Sequence, residues 1–238
     1  MAIHVTFWYE AEQERKGDAM KAAYPFGMAQ ALESAFQDQQ DITIKTVTFF
    51  DKDYGLPDEV LESTDVLIWW AHVLHDQVPD ELAEKIQKRV LKGMGFIPLH
   101  SAHLSKPFTR LMGTSCSLRW REGDRERLWT VMPAHPIARG LPDHFELPRE
   151  EMYGEFFDIP QPDELVFLGW FNGGEVMRAG CAFYRGYGRV FYFQPGHETN
   201  PTYYNKNIQK ILVNAVRWAA PVNFRETIDC QNPQPLEV

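Results

Sequence analysis

Runs of four to seven apolar residues separated by polar, glycine-rich or helical stretches dominate the first hundred positions of the chain. Residues 3–9 and 66–70 are apolar almost throughout and predict strands buried on both faces, whereas residues 42–49 alternate as a half-buried strand does. Between them, Met28, Leu32, Ala35 and Phe36 recur at helical spacing, with Pro25 suited to the first turn of that helix, and residues 57–62 fit one short helix. Pro79 opens a further helix. Its Leu82, Ile86 and Val90 share one face, acidic residues sit at its start, and Lys85, Lys88, Arg89 and Lys92 sit toward its end, as the helix dipole favours. Gly93 and Gly95 then allow a sharp turn into a buried strand over residues 96–99.

This β-α-β-α-β-α-β order predicts an α/β fold with a doubly wound, mostly parallel sheet. Past Met112 the pattern changes. Residues 115–120 and 127–132 predict two short strands joined by a charged turn at residues 122–126, an antiparallel excursion that continues through strands at 163–171, 176–184 and 189–194. A helix over residues 203–219 closes the fold at Pro221. Residues 1–220 therefore form one domain, followed by a Pro-rich tail over 221–238 that could wrap onto a neighbour in a homo-oligomer.

Charge and composition narrow the function classes. With 238 residues and 44% hydrophobic content the chain can bury a substantial core. A net charge of −9 without a strong basic cluster excludes nucleic acid as a natural partner. No apolar run is long enough to span a membrane, and the N-terminus runs straight into a strand rather than a signal-peptide pattern. The three cysteines, Cys116, Cys181 and Cys230, match no zinc or disulfide framework and fit a reducing cytoplasm. Cys116 and Cys181 read as small buried apolar residues.

The chemistry gathers where parallel strands end. His72, His100 and His197 each follow a predicted strand, and in open α/β sheets ligands bind beyond the carboxyl ends of the strands. His75 and His103 stand about one turn further on. Three imidazoles with a carboxylate such as Glu10 or Glu198 would suit zinc, with His72, His100 and His197 as ligands. The His-x-x-His spacings at 72/75 and 100/103 do not form the zinc-protease helix motif, and no nucleotide-cofactor motif is present. Without metal, His100, His197 and Glu198 are acid/base candidates, and Ser101 is a candidate nucleophile with His197 as its base. Glu10, His75, His103 and Tyr153 are ligand-binding candidates.

Several segments together resemble a known family. His135-Pro-Ile137 with Gly140-Leu-Pro142, Glu151-Met-Tyr153, Gly188-Arg-Val-Phe-Tyr192 with Gly196-His197, and residues 212–219 follow the order of the trehalose utilisation, or ThuA-like, family, and Leu99-His-Ser-Ala102 matches its strand-to-turn motif. The resemblance implies a flavodoxin-like fold of the class I glutamine amidotransferase superfamily. It also implies a role in the use of trehalose and related disaccharides, with a small sugar as ligand. Aligned on the amidotransferase elbow, His100 takes the place of the nucleophilic cysteine, so glutaminase activity is expected to be absent. Two readings follow: a carbohydrate-processing enzyme, or a non-catalytic sugar-binding module on an amidotransferase-like scaffold.

Overall fold

A computed structural model describes residues 2–12, 14, 17–228, 232 and 234–237; Lys16, Cys230 and Pro233 lie outside the described residues. Among the described residues nine strands join one sheet in the order β2-β1-β3-β4-β9-β8-β7-β5-β6. Its first half holds β1 (Ile3–Tyr9), β2 (Ile42–Thr48), β3 (Val66–Trp70), β4 (Gly95–Leu99) and β9 (Gly188–Phe193), all parallel where they pair. The second half holds β5 (Arg119–Thr130), β6 (His144–Gly154), β7 (Glu164–Phe171) and β8 (Val176–Arg185), all antiparallel. With four strands against five, the antiparallel part is larger than the excursion the sequence pattern suggests.

The parallel strands form for the reason their composition suggests. Every residue of β3 and β4 is buried, as sandwiching between two helical layers requires. Trp8 of β1 and Trp69 of β3 are register neighbours whose rings stack 3.7 Å apart. The helices are α1 (Asp18–Ala23), α2 (Met28–Glu33), α3 (Asp58–Glu62), α4 (Asp80–Lys92), α5 (Lys106–Met112) and α6 (Lys206–Ala219). Pro25 lies in the turn between α1 and α2, ahead of the helix whose first turn the spacing assigns to it, and the short helix α1 before it is unforeseen. Helix α6 starts later than residue 203, since the Asn205 side chain caps it by accepting from the amides of Asn207 and Ile208.

Two features of the antiparallel half depart from the sequence pattern. Residues 122–126 do not turn the chain; they are a bulge within the single strand β5, with Gly123 at φ +64° and the register with β6 slipping on either side of Asp124. Strand β6 is unforeseen. It tolerates Pro148 because it is the last strand of the sheet, where a missing N–H breaks no inner ladder. The start of the tail folds back on its own domain: the Arg225 amide donates to the Lys92 carbonyl, and the Arg89 guanidinium lies 5.2 Å from the Phe224 ring. Cys116 and Cys181 are buried and unpaired with each other.

Candidate active site

Strands β1, β3, β4 and β9 end side by side, and their following loops form one polar centre. After β4 the chain passes through His100 at φ +53°, a conformation unusual for a residue with a side chain and the mark of a strained elbow. Two hydrogen bonds and a ring stack hold this elbow. His100 Nδ1 lies 2.9 Å from the Gln194 carbonyl, the Tyr192 hydroxyl donates to the His100 carbonyl at 3.0 Å, and the Tyr153 ring stacks on the imidazole at 4.8 Å. A carbonyl only accepts, so Nδ1 carries a proton, and Nε2 is the nitrogen turned toward the carboxylate. Nε2 faces Glu151 Oε2 at 3.0 Å and the Tyr153 hydroxyl at 3.3 Å.

His72 and His197 complete the centre, their ring centroids 6.4 and 5.3 Å from that of His100 and 5.5 Å from each other. His72 Nδ1 pairs with Glu198 Oε1 at 3.0 Å. Burial pulls the His72 pKa down, but the hydrogen bond and charge of Glu198 outweigh it and leave it raised. Burial pushes Glu198 up, yet its bond to His72 and the neighbouring imidazoles bring it down to about 2. His197, by contrast, is lowered to about 4, chiefly by burial and then by the charge of His100. Its Nε2 lies 3.6 Å from Glu198 Oε2 and 3.9 Å from Glu151 Oε2.

Strand β6 supplies two adjacent glutamates that point opposite ways, as successive strand residues must. Glu151 faces the histidines. Glu150 instead clamps the loop after β9, accepting from the amides of Gly196 (2.9 Å) and His197 (3.2 Å), the Asn200 side chain (3.2 Å) and the Thr202 hydroxyl (2.8 Å). Neither glutamate was recognisable as a site residue from the pattern, because β6 itself was not; Glu151 stood only within a family motif.

The centre opens into a cleft of about 310 Å³ lined by His72, Ser101, His103, Glu151, Tyr153 and Trp120, among others. Trp120 is 64% exposed at its wall. A larger groove of about 610 Å³ lies elsewhere, near Lys52 and Lys85, and none of these histidines lines it. The cleft is the better ligand site, because the buried titratable groups converge there.

The remaining candidates fall in different places. The Ser101 hydroxyl donates to the Ala71 carbonyl at 2.8 Å, so it is engaged with backbone rather than with His197. His103 lines the cleft with Nδ1 2.7 Å from the Cys116 carbonyl. His75 is buried but does not line the cleft. Glu10 is a structural clamp: its carboxylate accepts from the amides of His72 (2.7 Å), Val73 (3.0 Å) and Leu74 (2.9 Å), fixing the loop that carries His72.

The profile of the trehalose utilisation (ThuA) family matches residues 4–219. The chain belongs to this family. Among solved structures it resembles a ThuA-like protein from Parabacteroides merdae (14% identity, 96% of this chain and 93% of that one, TM-score 0.72) and another from Bacteroides uniformis (16% identity, 91% and 90%, TM-score 0.65). A glutamine amidotransferase from Thermotoga maritima shares the fold at 12% identity over 91% of this chain and 97% of that one, with a TM-score of 0.53. At these identities the structures speak for the fold alone. No curated protein matches the chain. Membership of the ThuA family gives it a carbohydrate-related role at the level of the family. Among the described residues no helix is long and apolar enough to cross a membrane.

Proposed function

We propose that the chain is a cytoplasmic enzyme of carbohydrate utilisation that moves protons on a hydroxylated sugar, of the trehalose or related disaccharide class, through a His72–Glu198 dyad. The observation that carries this reading is the dyad's orientation. Glu198, almost wholly buried, accepts from His72 Nδ1 and thereby leaves Nε2 of a partly exposed imidazole free to take or give a proton in the cleft. A base oriented in this way contributes about 10²–10⁴ to a rate. The polar floor and the exposed Trp120 wall suit a polyol, which offers hydroxyls to one and a C–H face to the other. Buried free thiols at Cys116 and Cys181 support a reducing compartment.

The amidotransferase-like scaffold, whose parallel half we read as flavodoxin-like, supports the placement of the dyad at strand ends but not glutamine chemistry, since a histidine stands at the elbow. A mere binding module has little use for carboxylates buried among imidazoles, given what their desolvation costs. Proton NMR of trehalose and a panel of related disaccharides in D₂O with the protein tests the reading, because glycosidic cleavage, isomerisation and C–H exchange all change the spectrum. Turnover that falls at least about 100-fold in His72→Gln, with the fold intact, is the expected result; no change in any disaccharide sinks it.

A further inference from the structure

Glu151 Oε2 is buried and faces the His100 ring nitrogen at 3.0 Å, with no proton fixed between the two by the neutral imidazole. Two electron pairs at that distance repel unless something positive lies between them. His100 fills that gap with a proton only as an imidazolium, because the one N–H of its neutral form is directed at the Gln194 carbonyl; a divalent cation fills it with the imidazole neutral. A third donor, His197, completes a set: His100, Glu151 and His197 present ligand atoms that all lie within 4.8 Å of one another, and each residue is at least nine-tenths buried.

From these residues we infer a divalent-cation site of the zinc class, held by His100 Nε2, Glu151 Oε2 and His197 Nε2. Bonds of about 2.0–2.1 Å to a tetrahedral zinc place donors about 3.3–3.4 Å apart. The separations from Glu151 Oε2, 3.0 Å to His100 and 3.9 Å to His197, straddle that value, and all three donors lie within 4.8 Å of one another, so cation binding would draw the imidazoles together. Two imidazoles and a carboxylate with a fourth position left open are the donor set of a catalytic rather than a structural zinc site. Magnesium is disfavoured, because it prefers oxygen donors.

The surroundings already do what outer ligand shells do. The Gln194 carbonyl fixes the His100 tautomer, and Thr199 Oγ1 lies 2.8 Å from His197 Nδ1 as an acceptor for its proton. The Thr199 amide, at 3.3 Å from the same nitrogen, favours the opposite tautomer through a longer contact, which cation binding would relinquish. His72 is thereby moved from the ligand set anticipated on sequence to a neighbouring role. Its Nδ1 is committed to Glu198, whose own Oε2 is buried without a hydrogen bond and faces His197. The alternative grouping of His72, His197 and Glu198 shares His197 with this one, and the variants below separate the two.

The inference depends on the proposed function only in directing the open position toward the cleft, and its test reads metal rather than turnover. Tag-free protein is stripped with chelator, loaded with Zn²⁺ or Co²⁺, and dialysed. One equivalent of zinc by elemental analysis and the intense visible bands of four-coordinate Co²⁺ are expected. Glu151→Gln and His197→Gln should each weaken Zn²⁺ binding more than tenfold, whereas His72→Gln should keep one equivalent; circular dichroism checks that each variant is folded. Failure of the wild-type protein to retain stoichiometric zinc overturns the site. So does retention by folded Glu151→Gln, or loss in folded His72→Gln. Zinc held without disaccharide turnover defeats the proposed function and leaves the site standing; turnover in protein that fails to retain zinc does the reverse.

Discussion

Glu150 Oε1 accepts the backbone amide of His197 at 3.2 Å, so the position of that imidazole is set from a strand 47 residues earlier. Both Glu150 oxygens are occupied by donors, and an amide NH₂ in place of either would confront an N–H or O–H. Glu150→Gln should therefore cost about 3 kcal/mol, lowering Tm by about 6–12 °C for a domain of this size. Below that Tm it should also lose turnover, which a purely structural substitution elsewhere would not. Thermal denaturation and the NMR assay at a low temperature check the two effects separately.

Trp120 offers the complementary case of a residue that matters to ligand but not to fold. Its ring is mostly exposed, so Trp120→Ala should shift Tm by no more than about 1–2 °C. Loss of a stacking wall should raise KM about tenfold and leave kcat nearly unchanged. An unchanged KM would remove Trp120 from the ligand site.

His103 predicts a pH dependence of stability. Burial is the main cause that holds it at about 3, against a smaller upward pull from its bond to the Cys116 carbonyl. The unfolded imidazole titrates near 6.5. Between these values the unfolded chain binds the extra proton, so stability is fully present above about pH 6.5 and declines as pH falls toward 3. By pH 5 this residue alone should remove about 2 kcal/mol. Tm measured from pH 7.5 to 5 should fall, and His103→Gln should flatten the fall; equal slopes would show that other groups carry it.

Glutamine should not be hydrolysed. The elbow carries His100, and the buried Cys116 thiol is pushed up to about 11 by burial, with Cys181 raised further for the same reason, so neither is a thiolate near neutrality. A coupled ammonia assay should read no more than the blank. Release that disappears on thiol alkylation would refute this.

Legibility in the sequence followed burial. Strands β1, β3 and β4 are dense apolar runs because both faces are covered, and this fixed where His72 and His100 would stand. The charged half was harder. In β5 the Glu-Gly-Asp sequence carries a turn's composition, yet its glycine serves a bulge, and only pairing with β6 and β7 distinguishes the two. In β6 an edge position permits Pro148 and mixes charge with apolar residues, so the strand that delivers Glu151 gave no periodic signal. The imidazoles and Glu198 were therefore visible, and Glu151 as a partner of His100 was not. Glu10 was visible too, but its chemistry is directed at backbone amides, which side-chain identity alone does not reveal.

The place of β9 between β4 and β8 also bears on how the chain is made. During synthesis β4 can pair with β3 at once, but its other neighbour begins 89 residues after β4 ends, counting from Leu99 to Gly188. Until then a wholly apolar strand keeps an open edge, the configuration most prone to wrong partners. Entry of β9 closes that edge, and the loop that follows it brings His197 up to His100 and Glu151. Maturation of the centre and removal of the chain's main aggregation hazard are thus one late event, and a nascent chain halted before Gly188 has neither.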